Sequence, residues 1–189
     1  FNPPILTKIP PTIITKIFGK FATKNCQICY NKYFWKMSVS NLRPNFWQLP
    51  LATLSDDEWE ALCDGCGVCC LVKYLDDDDP RFTEYTDVAC KLMDTATGHC
   101  SDYPNRKHFV PDCIRLTVEM MAQMMWLPRH CAYKRLYLGQ GLPHWHYLIA
   151  GQDRHDRQMD KVGVRGRCVS EMYFSDDKIE ERVIKWVKI

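Results

Sequence analysis

The segment CDGCGVCC, residues 63–70, places four cysteines at the spacing Cys-x-x-Cys-x-x-Cys-Cys with two glycines between them. A Cys-x-x-Cys turn lets two sulfurs reach one metal about 2.3 Å away without strain, so zinc knuckles and iron–sulfur loops share it. Gly65 and Gly67 allow backbone turns that other residues resist. We therefore predict a tight loop that wraps one side of a metal ion or cluster.

Cys69 and Cys70 are adjacent, and adjacent side chains diverge by about 180° on a strand and about 100° on a helix. We expect that they do not bind the same single ion: they face two sites, or one binds while the other packs. The spacing also departs from the bacterial ferredoxin run, because the fourth cysteine follows at once and Leu71 replaces the proline. The departure excludes an ordinary ferredoxin but not a cluster.

Eight cysteines fall within residues 63–131, about 12% of that segment, a density at which cysteines usually hold a fold together. They are Cys63, Cys66, Cys69, Cys70, Cys90, Cys100, Cys113 and Cys131. In the cytoplasm thiols stay reduced, and dense spacing then indicates metal binding rather than disulfides. Eight thiolates suit two four-coordinate centres, or one cluster with additional structural thiols. Cysteine ligation suits both zinc and iron–sulfur centres, so the metal stays open between zinc and iron.

Composition restricts the class of protein further. The chain has 189 residues, 46% of them hydrophobic, with a mean hydropathy of -0.34 and a net charge of +2. This length supports one domain with a real core, and 12% aromatic residues exclude disorder. No run approaches the roughly 18 apolar residues of a spanning helix. Residues 37–189 carry 19 basic and 23 acidic groups, which argues against a nucleic-acid surface. We expect a metal ion as partner, with any protein partner unknown, and no nucleic acid or membrane.

Residues 1–36 differ from the rest, with six lysines and no acidic residue. Amino acids with AT-rich codons make up 21 of these 36 positions: Phe, Tyr, Ile, Asn and Lys. From Met37 onward the amino-acid composition is ordinary. We expect a non-native or disordered leader from a misplaced start, followed by one metal-binding domain over residues 37–189. Lysines and prolines break its apolar stretch, so no secretory signal is recognised and we expect the cytoplasm. Cys26 and Cys29 are left out of the ligand set because they lie in this leader.

Local patterns predict a small, loop-rich α+β domain organised around the metal or iron–sulfur site. Ser55 and Glu58 form a capping box, which predicts a helix over residues 56–62. Phe82, Tyr85 and Val88 predict a strand leading to Cys90, and residues 95–98 a hairpin turn. We also predict a helix over residues 118–127, capped by Thr117 with a Leu116–Met121 hydrophobic staple. A second helix over residues 129–138 ends at Gly139, and a strand follows over residues 162–169. The last prediction is an amphipathic helix that is capped by Ser175 and places these residues on one face: Ile179, Val183, Ile184 and Val187.

Seven blocks carry a family resemblance: in order, CDGCGVCC, TDVACKLMD, HCSDYPNR, VPDCIRLT, WLPRHCAYKRL, GLPHWH and VRGRCVSE. Over residues 46–171 the chain resembles a bacterial family with a CxxCxxCC zinc- or iron-chelating domain. The resemblance implies a small cytoplasmic metal-chelating protein with no assigned reaction. It also implies that the eight cysteines of residues 63–131 are the ligand pool. Cys168 departs from the family pattern, which has an apolar residue there, so we assign it to the core.

Other candidate groups favour plainer interpretations. His144 and His146 flank Trp145 at a spacing that puts both rings on one side of a strand; we favour hydrogen-bonded packing over a metal or proton-transfer role. His130, beside Cys131, is a weaker candidate substitute ligand, and His99, beside Cys100, is weaker still. We interpret the acidic run at residues 76–79 as a solvated turn rather than a calcium loop. The methionines predict a packing face rather than a copper site: Met120, Met121, Met124 and Met125.

Three function hypotheses follow. The first is a cytoplasmic metal-binding protein without enzymatic activity, whose thiolates hold zinc, iron or an iron–sulfur cluster. The second is an iron–sulfur or dithiol redox enzyme that acts with a partner. In the third, zinc only stabilises a surface for protein interaction. The sequence contains no glycine-rich phosphate loop, nucleophile elbow or paired-carboxylate motif.

Overall fold

A short open sheet forms around one central strand. The computed structural model describes residues 42–76, 79 and 82–189, all within the unit Ser40–Ile189. The predicted leader, with Cys26 and Cys29, lies outside the described residues, as do residues 77, 78 and 80 of the acidic turn. The described strands are β1 (Leu71–Tyr74), β2 (Glu84–Ala89), β3 (Met93–Asp94), β4 (His99–Cys100), β5 (Val169–Ser170) and β6 (Val183–Ile184).

Strand β2 pairs with three others, and it carries buried residues on both faces. Tyr85, Thr86, Val88 and Ala89 are all buried. β1 is antiparallel to β2 on one side, with a register irregularity between Leu71 and Lys73. On the other side β5 runs parallel to β2 and β6 runs antiparallel. The predicted strand that leads to Cys90 is therefore confirmed.

Strands β3 and β4 form a separate antiparallel hairpin that pairs Met93 with Cys100. Its turn is closed by the Gly98 N–H, which donates to the Asp94 carbonyl at 2.7 Å, while the Ala96 N–H donates to the Asp94 carboxylate. The predicted hairpin over residues 95–98 is confirmed. Its consequence for the site is that Cys100 returns to the neighbourhood of Cys90.

The helices are short and surround the sheet and the cysteine loop. They are α1 (Asp56–Glu60), α2 (Arg106–Phe109), α3 (Ala132–Tyr137), α4 (Tyr147–Ala150), α5 (Gln152–Val162) and α6 (Asp176–Ile179). Helices and an open sheet in one small, cysteine-rich unit confirm the predicted α+β class.

Helix α1 begins where the capping box predicted. The Glu58 N–H donates to Ser55 Oγ, and the Ser55 N–H donates back to the Glu58 carboxylate. The same carboxylate is buried and accepts from Arg43 Nε at 2.7 Å and Nη2 at 2.6 Å. Because Leu62, just past the helix end, is fully buried, α1 sets the position at which the cysteine loop starts.

The predicted helix over residues 118–127, with its Leu116–Met121 staple, is wrong: only a 3₁₀ turn, Met121–Gln123, forms. Tertiary hydrogen bonds instead hold the last residues of this segment. Lys134 Nζ donates to the carbonyls of Met125 and Leu127, and the Tyr85 hydroxyl donates to that of Trp126. These side chains come from other elements, so no local periodicity could indicate them.

The helix predicted over 129–138 begins later than expected. The Arg129 N–H donates to the Lys188 carbonyl, and α3 starts only at Ala132. Its predicted left-handed end at Gly139 is confirmed, with φ at 69°.

Two further element predictions are wrong. Residues 162–169 are not a strand: α5 runs to Val162, the Val164 N–H then donates to the Cys66 carbonyl, and only the two residues of β5 pair with β2. The C-terminal segment is not one helix either. After α6 a 3₁₀ turn leads into β6, because Arg182 binds the Asp87 carboxylate with two hydrogen bonds and draws the chain onto β2.

Gly67 is the tightest backbone position of the loop. Its φ is 72°, and a Cβ there would lie 2.6 Å from Val164 Cγ2 and 3.0 Å from the Gly98 carbonyl oxygen. Gly139 has a similar φ but open space around it. Gly67 is therefore required both for its positive φ and for the space that Val164 and Gly98 occupy, whereas Gly139 is required for its φ alone.

We predict that Gly67→Ala lowers the free energy of unfolding more than Gly139→Ala does. Both alanines adopt a left-handed conformation at a cost of about 1–2 kcal/mol, but only the alanine at 67 also displaces Val164. Urea unfolding of the two variants measures the difference. Equal losses of stability would show that the contact with Val164 relaxes freely.

The Arg43–Glu58 pair predicts a pH dependence of stability. Hydrogen bonding from Arg43 lowers the pKa of Glu58 from 4.5 to about 2, with the Ser55 N–H adding to this against the effect of burial. A lowered carboxylate pKa stabilises the fold fully above about pH 4.5, and this contribution is lost as the pH falls toward 2. We expect the stability gap between the wild-type chain and Glu58→Gln, measured by urea midpoints, to shrink over that range. A gap independent of pH would contradict this assignment.

Candidate metal centre

The cysteine loop follows α1 and is built by two left-handed glycines. Gly65 and Gly67 have φ of 73° and 72°, so the chain reverses direction between cysteines. Cys66 and Val68 are buried inside the loop. The predicted tight loop over residues 63–70 is thus confirmed. Its last three residues, Val68–Cys70, form a 3₁₀ turn that leads directly into β1.

The 3₁₀ turn brings Cys69 Sγ and Cys70 Sγ to 3.9 Å from each other. The wide divergence expected for a regular strand or helix is therefore not observed, because neither geometry applies at this turn. The thiol of Cys70 hydrogen-bonds to the sulfur of Cys69, which lowers the pKa of Cys69 to about 7 and raises that of Cys70. Lys73, whose Nζ donates to the Cys69 carbonyl, adds a positive charge that further lowers the pKa of Cys69.

Four cysteines interact electrostatically around Asp64, and we call them the first thiol group: Cys63, Cys66, Cys69 and Cys131. Burial raises the pKa of Cys63 and of Cys66 well above the ordinary value, and the negative charges of Asp64 and Cys69 add to this. Burial and the Asp64 charge raise the pKa of Cys131 to about 12. Cys131 reaches the loop because it precedes α3, whose Ala132 and Tyr133 are buried in the core.

We call the remaining four cysteines the second thiol group: Cys70, which precedes β1, Cys90, which follows β2, Cys100 in β4, and Cys113. The Cys90 N–H donates to the Cys70 carbonyl at 2.9 Å, so the two residues are level across the sheet. Burial raises the pKa of Cys90, and the charges of Cys100 and Cys113 add to this. The hydrogen bond with Cys69 raises the pKa of Cys70, burial raises that of Cys100, and the charge of Cys113 adds to both.

One set of donor groups among the described residues has its ligand atoms all within 4.8 Å of one another: Asp64, Cys66 and His130. Asp64 is 5% exposed, and Cys66 is 8% exposed. Within the described chain, Asp64 Oδ2 and His130 Nε2 are buried without a hydrogen-bond partner. Burial lowers the pKa of His130, so its neutral, metal-ligating form predominates at pH 7. The sequence indicated His130 only through its position beside Cys131, and nothing in the spacing indicated Asp64.

Side chains from α4 and α5 bind the carbonyls of the chain around Cys63. His146 Nε2 lies 3.1 Å from the Leu62 carbonyl oxygen, and His155 Nε2 lies 2.9 Å from that of Asp64. The Tyr147 hydroxyl donates to the Ala61 carbonyl. Because carbonyls only accept, both histidines carry their proton on Nε2. Sequence reasoning missed His155 altogether, since an isolated histidine within a helix gives no local signal.

The strand predicted for His144 and His146 is wrong, because residues 144–146 form a turn that leads into α4. His144 is exposed, whereas His146 is fully buried. His146 Nδ1 accepts from the Leu148 N–H, and burial lowers its pKa to about 4. The predicted hydrogen-bonded packing is confirmed for His146, whose ring stacks on Tyr147 at a centroid distance of 4.6 Å.

The remaining candidates follow their plainer interpretations. Cys168 is buried in the core, and its pKa is raised by burial and by Asp87 rather than by another cysteine. Met121 and Met124 are buried in the same core. In the acidic run, the Asp79 N–H donates to the Asp76 carboxylate, as in a turn.

The donors around the cysteine loop fit zinc or iron. Sulfur, imidazole nitrogen and carboxylate oxygen are the ligands that both metals take in proteins. Buried polar atoms without partners are rare in folded chains, and a bound cation would satisfy Asp64 Oδ2 and His130 Nε2 together. A metal bound here supplies a positive charge and Lewis acidity.

Comparisons with known proteins agree with this chemistry. Residues 62–132 match the CxxCxxCC family, described as "Putative zinc- or iron-chelating domain". This match supports metal binding. No solved structure matches the chain significantly. Among the described residues, no helix combines the length and the apolar character needed to cross a membrane.

Relatives extend the similarity beyond the domain. The UPF0260 protein of Ectopseudomonas mendocina is 46% identical over 146 residues, or 77% of this chain and 97% of the relative. That of Pseudomonas fluorescens is 45% identical over 140 residues, 74% and 93% of the two chains. That of Shewanella woodyi is 44% identical over 145 residues, 75% and 95%. The predicted resemblance is confirmed: the chain matches the CxxCxxCC domain and belongs to the UPF0260 family of bacterial proteins.

Proposed function

We propose that the chain is a cytoplasmic, non-enzymatic metal-binding protein that holds zinc or iron at two adjacent centres. The observation that carries the proposal is the cysteine loop, where the sulfurs of Cys69 and Cys70 lie 3.9 Å apart and the ligand atoms of Asp64, Cys66 and His130 lie within 4.8 Å of one another. The electrostatic interactions among the eight cysteines support their division into two thiol groups. Cys168, the other described cysteine, is left in the core. All the described cysteines are free thiols, the state that the reducing cytoplasm maintains.

Adjacent cysteines suit two neighbouring centres. The sulfurs of Cys69 and Cys70 lie 3.9 Å apart, so the two thiol groups meet at this pair. Cys69 interacts electrostatically with Cys63, Cys66 and Cys131, whereas Cys70 interacts with Cys90 and Cys113. Each of the two sulfurs therefore belongs to a different group. The 3₁₀ turn between them keeps the two centres close to each other.

Burial explains why these thiols need a cation. A buried thiolate without a partner is costly, and burial raises the pKa of Cys63, Cys66 and Cys131 accordingly. A metal ion stabilises the thiolate form and releases the protons. Because ligands come from residues as far apart as Cys63 and Cys131, binding ties α1, the sheet and α3 together.

We predict that Cys66→Ala and Cys90→Ala each remove about half of the bound metal, because each variant disables one thiol group. Metal content is measured by elemental analysis of the full chain purified without oxygen. Cys168→Ala is the matched control, since Cys168 and Cys66 are both 8% exposed and only Cys66 lies in a thiol group.

The control is expected to retain all of its metal, and the double variant Cys66→Ala/Cys90→Ala is expected to lose nearly all of it. A wild-type chain free of zinc and iron, with its cysteines oxidised in pairs, would overturn the proposal. Equal metal loss from Cys168→Ala would also contradict it, because the effect would then be general destabilisation.

We also expect that complete removal of metal by a chelator lowers the melting temperature and reduces the circular dichroism signal. Metal binding free energy becomes folding free energy when the ligands come from distant parts of the chain. Adding zinc back restores both signals, and chelator already saturated with zinc serves as the control. Unchanged melting after full demetallation would contradict this linkage.

A further inference from the structure

Asp64 is an acidic residue inside the cysteine loop, at a position where the Cys-x-x-Cys spacing specifies no residue type. Asp64 lies between Cys63 and Gly65, and the residue is buried, with 5% of its surface exposed. The Cys66 N–H donates to Oδ1 at 3.0 Å, which fixes the carboxylate. The other oxygen, Oδ2, is left with no hydrogen-bond partner in the described chain.

We propose that Asp64 and His130 join Cys66 as ligands of one divalent cation, so that the first centre has mixed oxygen, nitrogen and sulfur ligation. The proposal rests on the proposed function and specifies the ligand set of that centre. Zinc and iron(II) both accept these three donor types. The set describes a mononuclear ion rather than a cluster held by thiolates alone.

Geometry carries the proposal. The ligand atoms of Asp64, Cys66 and His130 all lie within 4.8 Å of one another. Two of these atoms, Asp64 Oδ2 and His130 Nε2, are buried and lack a partner among the described residues. These two orphaned atoms beside one buried sulfur form a site in which a single cation satisfies both of them.

Charge favours the mixed set over thiolates alone. The Cys66 thiolate and the Asp64 carboxylate together balance a dication, and a neutral imidazole from His130 adds no charge. Four thiolates beside the buried Asp64 carboxylate would instead leave a large net negative charge away from water, which is unfavourable. Three protein ligands also leave at least one position of a tetrahedral ion for a further ligand.

The surrounding structure holds these donors in place. His155 binds the Asp64 carbonyl, and the Val164 N–H donates to the Cys66 carbonyl at 3.0 Å. On the other side, the His130 ring lies 6.1 Å from the buried Trp145 ring, between centroids. Supports of this kind, which orient a ligand through its backbone or ring, are typical of metal sites.

The test compares Asp64→Asn and His130→Gln with the control His144→Gln, whose exposed histidine lies outside the site. Asparagine still accepts the Cys66 N–H, so the loop geometry is kept in Asp64→Asn. We expect both site variants to bind Zn²⁺ at the first centre more than about tenfold more weakly, by competition with a chromophoric chelator, and the control to bind as the wild type does. Circular dichroism checks that each variant folds.

X-ray absorption spectroscopy of the zinc-loaded wild-type chain provides a test that needs no variant. We expect nitrogen or oxygen scatterers at about 2.0–2.1 Å in addition to sulfur at about 2.3 Å. The light scatterers should decrease in Asp64→Asn and His130→Gln but not in His144→Gln.

The two proposals fail in different ways. A wild-type chain that binds no zinc or iron defeats the proposed function. A chain that binds zinc with sulfur scatterers only, and whose Asp64→Asn and His130→Gln variants bind with wild-type affinity, leaves the proposed function standing and overturns the mixed ligand set. If a variant does not fold, the wild-type spectrum alone decides.

Discussion

The backbone of the cysteine loop depends on hydrogen bonds that the loop cannot make for itself. Residues 61–66 run from the end of a short helix through a left-handed turn, so their carbonyls have no regular partners. Tyr147, His146 and His155 bind the carbonyls of Ala61, Leu62 and Asp64, at sequence separations of 86, 84 and 91 residues. A buried carbonyl without a partner is costly. The shape of the thiol loop therefore depends on hydrogen bonds from residues 146–155.

This dependence gives the buried histidines a physical purpose. His146 uses both ring nitrogens, one on the Leu62 carbonyl and the other on the Leu148 N–H, and burial keeps it neutral. His146 therefore has a structural role, because both of its ring nitrogens are bound to backbone groups, and it does not transfer protons. His130 differs because its Nε2 is buried without such a partner in the described chain. His130 and His146 look equivalent in the sequence, but the ring nitrogens of His146 have hydrogen-bond partners whereas Nε2 of His130 has none among the described residues.

Electrostatics organises the thiols in a similar way. Burial raises the pKa of most of the cysteines around the loop, whereas the shared proton and the nearby ammonium of Lys73 lower that of Cys69. The Lys73 ammonium lies over the Trp126 ring at 4.6 Å and donates to the Cys69 carbonyl. The positive charge of Lys73 is thereby held beside Cys69, where the two thiol groups meet. The arrangement concentrates sulfur and carboxylate donors around the loop, which suits a metal ion.

The sequence alone determined the features that depend on neighbouring residues. The capping box of α1, the glycine turns between cysteines, the hairpin before Cys100 and the α+β class all follow from short-range geometry. Only the tertiary structure decided what distant residues contribute: the carbonyls of residues 125–127 bound by Lys134 and Tyr85, β6 drawn onto β2 by Arg182, and His130 brought to Asp64. The reason is that local periodicity records which face of an element is apolar. It does not record which distant polar group will satisfy a buried backbone atom or complete a metal-binding set.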